Sequence, residues 1–451
     1  MNPNRTSASR SVLTPALLAA ILLSTGPRAA SAYPLDGFDR SGIRRLLGYS
    51  ALQAAPTGPK LSAGALLGVE DLLLHLQGAG TSFDLDEATK DPGLQAALEA
   101  TLRRRDPSYA IAVVDITDPE AIAWAGLRED STQLPGSVGK VLCLIGLFDQ
   151  LRQLYPNPDD RLRILREREM VATDWALGDP HTVPKFDPDA GVNRFSVIAL
   201  GDRFRLSEWI DHMVSASANS AGAMIWKEAI LMARFGASYP PSPEVEASFF
   251  RETPRAELTE ISLRVLNEPL AAAGIDLAKL RQGTMWTRVG QARIPGVSSF
   301  ASPKELVRVL LRIEQGRMVD AWSSLEMKRY LYMTKKRYRY VFAPELAPAA
   351  VYFKSGSFYK CRPEEGFSCG KYKGNAENIM NSIAIVESPA RPGEQQRRYL
   401  VALLSNVLKV NSAWDHSRIA AAVEEMVRTR SAAVIRDQAT DRDLQNVGKS
   451  D

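Results

Sequence analysis

Hydrophobic positions along the chain change period several times, and each change predicts an element. Residues 66–76 carry apolar side chains at helical spacing. Residues 109–116 form a β-rich run, and 121–127 follow the turn-like Thr117-Asp118-Pro119, which predicts a hairpin. After Pro135-Gly136-Ser137, an apolar stretch continues through Leu151 and closes at Tyr155-Pro156. Its lack of a polar face predicts a helix buried on nearly all sides. Residues 159–205 are charged and proline-rich, so loops and short helices are expected there. Residues 206–213 and 221–232 read as helices flanking a short polar turn. Ser302-Pro303-Lys304-Glu305 combines a cap, a first-turn proline and a capping-box glutamate. Leu306, Val309, Leu310 and Ile313 then fall on one face, and Gly316 ends the helix. Residues 351–357, 382–386 and 399–406 read as strands, with a closing helix around 419–427.

This order, strands then helices then strands and a last helix, predicts an α+β fold: an antiparallel five-stranded sheet built from both chain ends, plus a helical lobe. The expected organisation is a signal peptide over 1–32, an N-terminal helical appendage over 33–105, a main domain over 106–435 and a flexible tail over 436–451. The leader has a basic start at Arg5 and Arg10, an apolar core over 12–23 and a cleavage site at Ala30-Ser31-Ala32. That predicts export to the periplasm or beyond the cell. The apolar run is too short to anchor the chain, so no stable membrane span is expected after cleavage.

Apolar residues make up 45% of the chain and charged residues 24%, the balance of a folded globular protein. The net charge is +4, of which Arg5, Arg10 and Arg28 belong to the leader. With no basic stripe besides Arg103-Arg104-Arg105 at a helix end, nucleic acid is not an expected partner. Of three cysteines, Cys361 and Cys369 are the plausible pair, while Cys143 lies in an apolar stretch and is expected to be a buried thiol. His75, His181, His212 and His416 lack ligand spacing, so no metal site is expected.

Three short motifs carry the candidate chemistry. Ser137-Val138-Gly139-Lys140 places a hydroxyl and an amine three residues apart at a helix start, on one face. Serine needs a neighbour to take its proton, and an amine serves only when neutral, which a desolvated site favours. Ser217-Ala218-Asn219 occupies the turn between two helices, where a hydroxyl can relay a proton and an amide can hold a substrate's acyl-amide group. Lys354-Ser355-Gly356-Ser357 lies on the strand, after Val351-Tyr352-Phe353. Lys354 and Ser355 suit a carboxylate, Gly356 admits a close backbone, and the Ser357 N–H could complete an oxyanion hole with that of Ser137.

S-x-x-K, S-x-N and K-[ST]-G in this order resemble the serine β-lactamase and penicillin-binding protein superfamily, closest to its class A branch. The resemblance runs from about Tyr109 to the C-terminal helix and includes the strand Asn381-Ser382-Ile383-Ala384-Ile385-Val386 and the Ser302-Pro303 helix. It implies a serine hydrolase in which Ser137 attacks a β-lactam or a D-Ala-D-Ala-like cell-wall peptide. Lys140 and Ser217 would manage protons, Asn219, Lys354, Ser355, Gly356 and Ser357 would bind substrate, and no cofactor would be needed.

The match fails in places. Ala218 stands for the aspartate of S-D-N, and Ser355 for the threonine of K-T-G. The E-x-x-L-N loop that carries the deacylating glutamate of class A enzymes is not found. Leu266-Asn267 is preceded by Leu263 at the glutamate position, and Glu257, Glu260 and Glu268 nearby have no distinguishing spacing. Trp175, Asp179 and His181 read as packing and turn residues of the 159–205 insertion. The alternative function is a non-hydrolytic module that binds penicillin or peptidoglycan through the same cleft.

Overall fold

The structure, a computed structural model, describes residues 36–57, 63–333, 337–392 and 394–447; the expected signal peptide lies outside them. Five strands form the central sheet: β1 (Ala110–Asp115), β2 (Ala123–Leu127), β3 (Ala350–Lys360), β4 (Glu377–Ser388) and β5 (Arg397–Asn406). Their spatial order is β2-β1-β5-β4-β3, with every neighbouring pair antiparallel. The first two strands and the last three thus meet along the β1–β5 ladder, in the α+β arrangement expected.

Side chains of these strands alternate between two cores, as a period of two requires when both faces are covered. Ala112, Val114, Ile383, Ile385, Leu400 and Ala402 face the larger core. Ile111, Val113, Ala384, Val386, Val401 and Leu403 face the smaller one, beneath the terminal helix. On the larger side lie α1 (Lys140–Leu154), α2 (Leu206–Val214), α3 (Asn219–Phe235), α4 (Arg255–Ala272), α5 (Pro303–Glu314) and α6 (Ala321–Tyr332). Every residue of α1 from Lys140 to Leu151 is buried, which explains its missing polar face. Ser302 caps α5 through the Glu305 N–H, but the Glu305 carboxylate accepts from Asp276 N at 3.0 Å, so the capping box is only half used.

Three features depart from the expected elements. Residues 159–205 contain a hairpin, Thr182–Asp187 paired with Val192–Val197, where loops and short helices were expected. It was hidden because Pro184 interrupts one strand and the other is largely exposed, leaving no clean alternation. Residues 36–105, expected as a helical appendage, supply Ile43, Leu46, Leu72, Leu76 and Leu85 to the larger core. A buried ion pair between Arg45 Nε and Asp211 Oδ2 at 2.5 Å joins that segment to α2. Residues 66–76 themselves hold a 3-10 turn, Val69–Asp71, rather than a helix. The last helix, α7 (Ala413–Val447), runs well past 427 and through most of the segment expected as a tail. Among the described residues no helix is long and apolar enough to cross a membrane.

Candidate active site

Ser137 lies in a 3-10 turn, Gly136–Gly139, that leads straight into α1. Gly136 has φ 55°, a left-handed conformation that glycine adopts without steric cost. The turn presses against β3. A Cβ on Gly356 would sit 2.4 Å from Pro135 O and 2.8 Å from Ser137 N, and one on Gly136 would lie 3.0 Å from Ser357 N. The amides of Ser137 and Ser357 therefore flank the same narrow contact. Asn381 on β4 fixes the approach from behind, its Nδ2 donating to Leu134 O at 2.9 Å and Pro135 O at 3.1 Å.

Lys140, at the start of α1, is fully buried. Its Nζ lies 3.0 Å from Ser137 Oγ, 2.8 Å from Ser217 O and 2.7 Å from Asn219 Oδ1. Burial disfavours the ammonium form and pushes the amine down to about 7, against the opposing pull of Asp179. The Trp286 ring closes one side, its centroid 5.4 Å from Nζ. Room for that closure comes from Gly222 and Gly139, where a Cβ would meet Trp286 Cε3 at 2.9 Å and Gln282 Oε1 at 2.0 Å.

Ser217 precedes α3 with φ 61°, a strained value for a residue with a Cβ. That conformation lets one residue serve both lysines: its carbonyl accepts from Lys140 and its Oγ accepts from Lys354 Nζ at 2.8 Å. Lys354 on β3 is held well below the usual amine range by burial and by the Lys140 and Arg339 charges. Ser355 Oγ and Tyr338 OH share a hydrogen bond at 2.5 Å. Arg339 donates to Gly356 O at 2.9 Å and Ser357 Oγ at 3.0 Å.

All eight residues singled out in the sequence thus converge on one place, with Asn219 committed to Lys140. Ser137, Ser217, Asn219, Ser355 and Ser357 line a cleft of about 860 Å³ together with Trp286, Arg339 and Tyr372, and the two lysines lie buried behind it. Among the described residues no aspartate or glutamate lines the cleft, and Glu257, Glu260 and Glu268 do not reach it. His181, expected to be an ordinary turn residue, lines it beside Ser217.

Sequence reasoning missed Gln282, Trp286, Tyr338 and Arg339. None belongs to a motif: Gln282, Trp286 and Tyr338 lie in loops and Arg339 in a short 3-10 turn, and their placement depends on packing. Cys361 and Cys369, the plausible pair whose bonding the sequence left open, are bonded and close a loop between β3 and β4. The same connection carries Lys371 and Tyr372 to the rim of the cleft, where Tyr372 covers the Arg339 guanidinium at 5.2 Å. Cys143 is a buried free thiol, also as expected. The geometry allows a serine hydroxyl to pass its proton to a neutral amine, beside two backbone amides suited to a developing oxyanion.

No family model matches the chain, and no curated protein matches it. Solved structures similar to it include class A β-lactamases. One from Bacteroides cellulosilyticus is 14% identical, with 76% of this chain and 98% of that one covered and a TM-score of 0.48. A β-lactamase from Chitinophaga pinensis is 16% identical over 76% of this chain and 100% of its own, with a TM-score of 0.46. A class A enzyme from Mycobacterium abscessus is 16% identical over 75% and 99%, with a TM-score of 0.45.

Proposed function

We propose that the protein is an exported serine hydrolase acylated on Ser137 by a β-lactam or a D-Ala-D-Ala-like cell-wall peptide. The observation that carries this reading is the 3.0 Å contact between Ser137 Oγ and a Lys140 amine that burial pushes down to about 7. In acylation the Ser137 proton passes to Lys140 as Oγ bonds to the substrate carbonyl carbon. The amides of Ser137 and Ser357 stabilise the oxyanion. When the carbonyl–nitrogen bond breaks, Ser217 Oγ gives its proton to the leaving nitrogen and regains one from Lys140, which thereby passes on the proton it took from Ser137. Lys354, Ser355 and Arg339 suit the substrate carboxylate, and the cleft residues need no cofactor for these steps.

Among the described residues the cleft lining offers no carboxylate to activate the water that would clear the acyl-enzyme. That absence favours a long-lived adduct, the behaviour of a penicillin-binding protein, over rapid β-lactam turnover. Intact-mass spectrometry after mixing with a fluorescent penicillin tests both points, beside Ser137→Ala and a chromogenic cephalosporin assay. A stable adduct on the wild type alone, with negligible turnover, is expected. Turnover that is lost in Ser137→Ala would make the protein a β-lactamase with an unrecognised base; neither adduct nor turnover would favour the non-hydrolytic binding module.

A further inference from the structure

Helix α3 begins without a side-chain cap of its own, because Ala218 at the capping position has no oxygen to offer. The acceptor comes instead from the insertion. Asp179 Oδ2 accepts from Ser220 N at 2.9 Å and from Ser220 Oγ at 3.1 Å, while Oδ1 meets His181 Nδ1 at 2.5 Å. The carboxylate is 2% exposed, and the His181 side chain beside it is 40% exposed at the cleft. Burial works against the charge of Asp179, yet the His181 and Ser220 hydrogen bonds bring it down to about 2, so it stays ionised. It therefore completes a helix end whose preceding turn holds Lys140 through Ser217 O and Asn219 Oδ1, and Lys354 through Ser217 Oγ.

Other groups face Lys140 from each element around it. Ser137 comes from its own turn, Cys143 from its own helix, Lys354 from β3, with Arg339 acting on Lys354, and the Trp286 ring from the loop before the short helix Arg288–Arg293. The Cys143 thiol is pushed well up by burial and stays neutral, so Asp179 supplies the negative charge in this set. Taking Ser137 and Lys140 as nucleophile and base, we propose that Asp179, oriented by His181, is a positioning residue that replaces the acid missing from the Ser217-Ala218-Asn219 turn. From there it sets where Lys140 sits and how readily the amine takes the serine proton. Substrate resting on His181 meets this pair directly.

Asn is as good a cap as Asp but carries no charge, so Asp179→Asn separates the two roles. Protein labelled with 13C-lysine is titrated by NMR from about pH 5 to 10, the Lys140 signal being assigned by its loss in Lys140→Met. Labelling of Ser137 by a fluorescent penicillin is followed over the same range. In Asp179→Asn the Lys140 midpoint is expected to fall by about one pH unit, with the acidic limb of labelling moving alongside it. In His181→Phe, which uncovers the carboxylate, the midpoint is expected to rise. This second variant alters a half-exposed side chain and keeps the test available if the first does not fold. Midpoints that stay at the wild-type value would overturn the proposal. A wild type that takes no penicillin would sink the acyl-enzyme reading, while the NMR midpoints would still judge Asp179.

Discussion

Among the described residues four lysines are buried, Lys227 against Glu246, and the other three have opposite fates. Lys140 and Lys354 behind the cleft are surrounded by hydroxyls, carbonyls and an amide, and burial drives both amines towards neutrality. Lys328 on α6 is equally inaccessible, but its Nζ lies 2.5 Å from Glu314 Oε1 and 2.7 Å from Glu387 Oε1. Burial alone would lower it too; the two carboxylates reverse the direction and keep it charged. That cluster extends to His75, whose Nε2 meets Glu387 Oε1 at 2.9 Å, and so ties residues 36–105 to α5, α6 and β4. Depth therefore does not mark a reactive amine. What marks it is depth without a paired acid, a state that a structural ion pair avoids.

The largest expected effect tests the cleft side. Lys140→Met should slow penicillin labelling of Ser137 by about 10²- to 10⁴-fold with the fold retained, as measured by labelling rates and circular dichroism. The opposite pole responds in stability. Lys328→Met leaves Glu314 and Glu387 buried without their cation and should cost about 3–5 kcal/mol in denaturant unfolding. The surviving folded fraction should still label at the wild-type rate. If instead Lys328→Met were tolerated and Lys140→Met unfolded the protein, the contrast would be wrong.

The pH dependence of stability sharpens the same comparison. A lysine whose folded value is about 7 and whose ordinary value is 10.5 binds fewer protons when folded than unfolded between those limits. Wild type should therefore gain on Lys140→Met as pH rises from about 7 to 10.5, by up to about 1.4 kcal/mol per unit, and lose that gain as pH falls. Lys328, with its value raised, should show no such gain in this window, because its pairing stabilises the folded state below 10.5 and fades only above it. Parallel urea titrations of wild type and Lys140→Met at several pH values give the slope. The smallest effect lies at the rim. Cys361→Ser opens the loop that precedes Lys371 and Tyr372 and should cost about 2 kcal/mol, readable as a fall in Tm, while leaving the labelling midpoint near pH 7 in place.

Much of the site was legible because its chemistry is local. Ser137 and Lys140 share a helix start, so their mutual distance follows from backbone geometry once that helix is recognised. Ser217 to Asn219 and Lys354 to Ser357 were legible as a turn and a strand, in an order that fits one cleft. The hairpin within 182–197 was not legible, since its exposed strand has little apolar alternation to read. Asp179 and His181 looked like the turn chemistry of Gly178-Asp179-Pro180-His181, which is what their local sequence encodes. Their relation to Ser220 spans about forty residues of chain and exists only because the insertion folds back onto α3.

By itself the sequence determined the α+β order of elements, the strands drawn from both chain ends, the serine–lysine spacing and the buried character of α1. These are short-range properties, carried by periodicity and by residues a turn or two apart. Only the tertiary structure decided which buried lysines are paired and which are not, that Gly356 and Gly136 bring two backbones into contact, and that no carboxylate among the described residues lines the cleft. Such properties depend on distances between elements far apart in the chain, and the electrostatic state of a group is set by what the fold places against it.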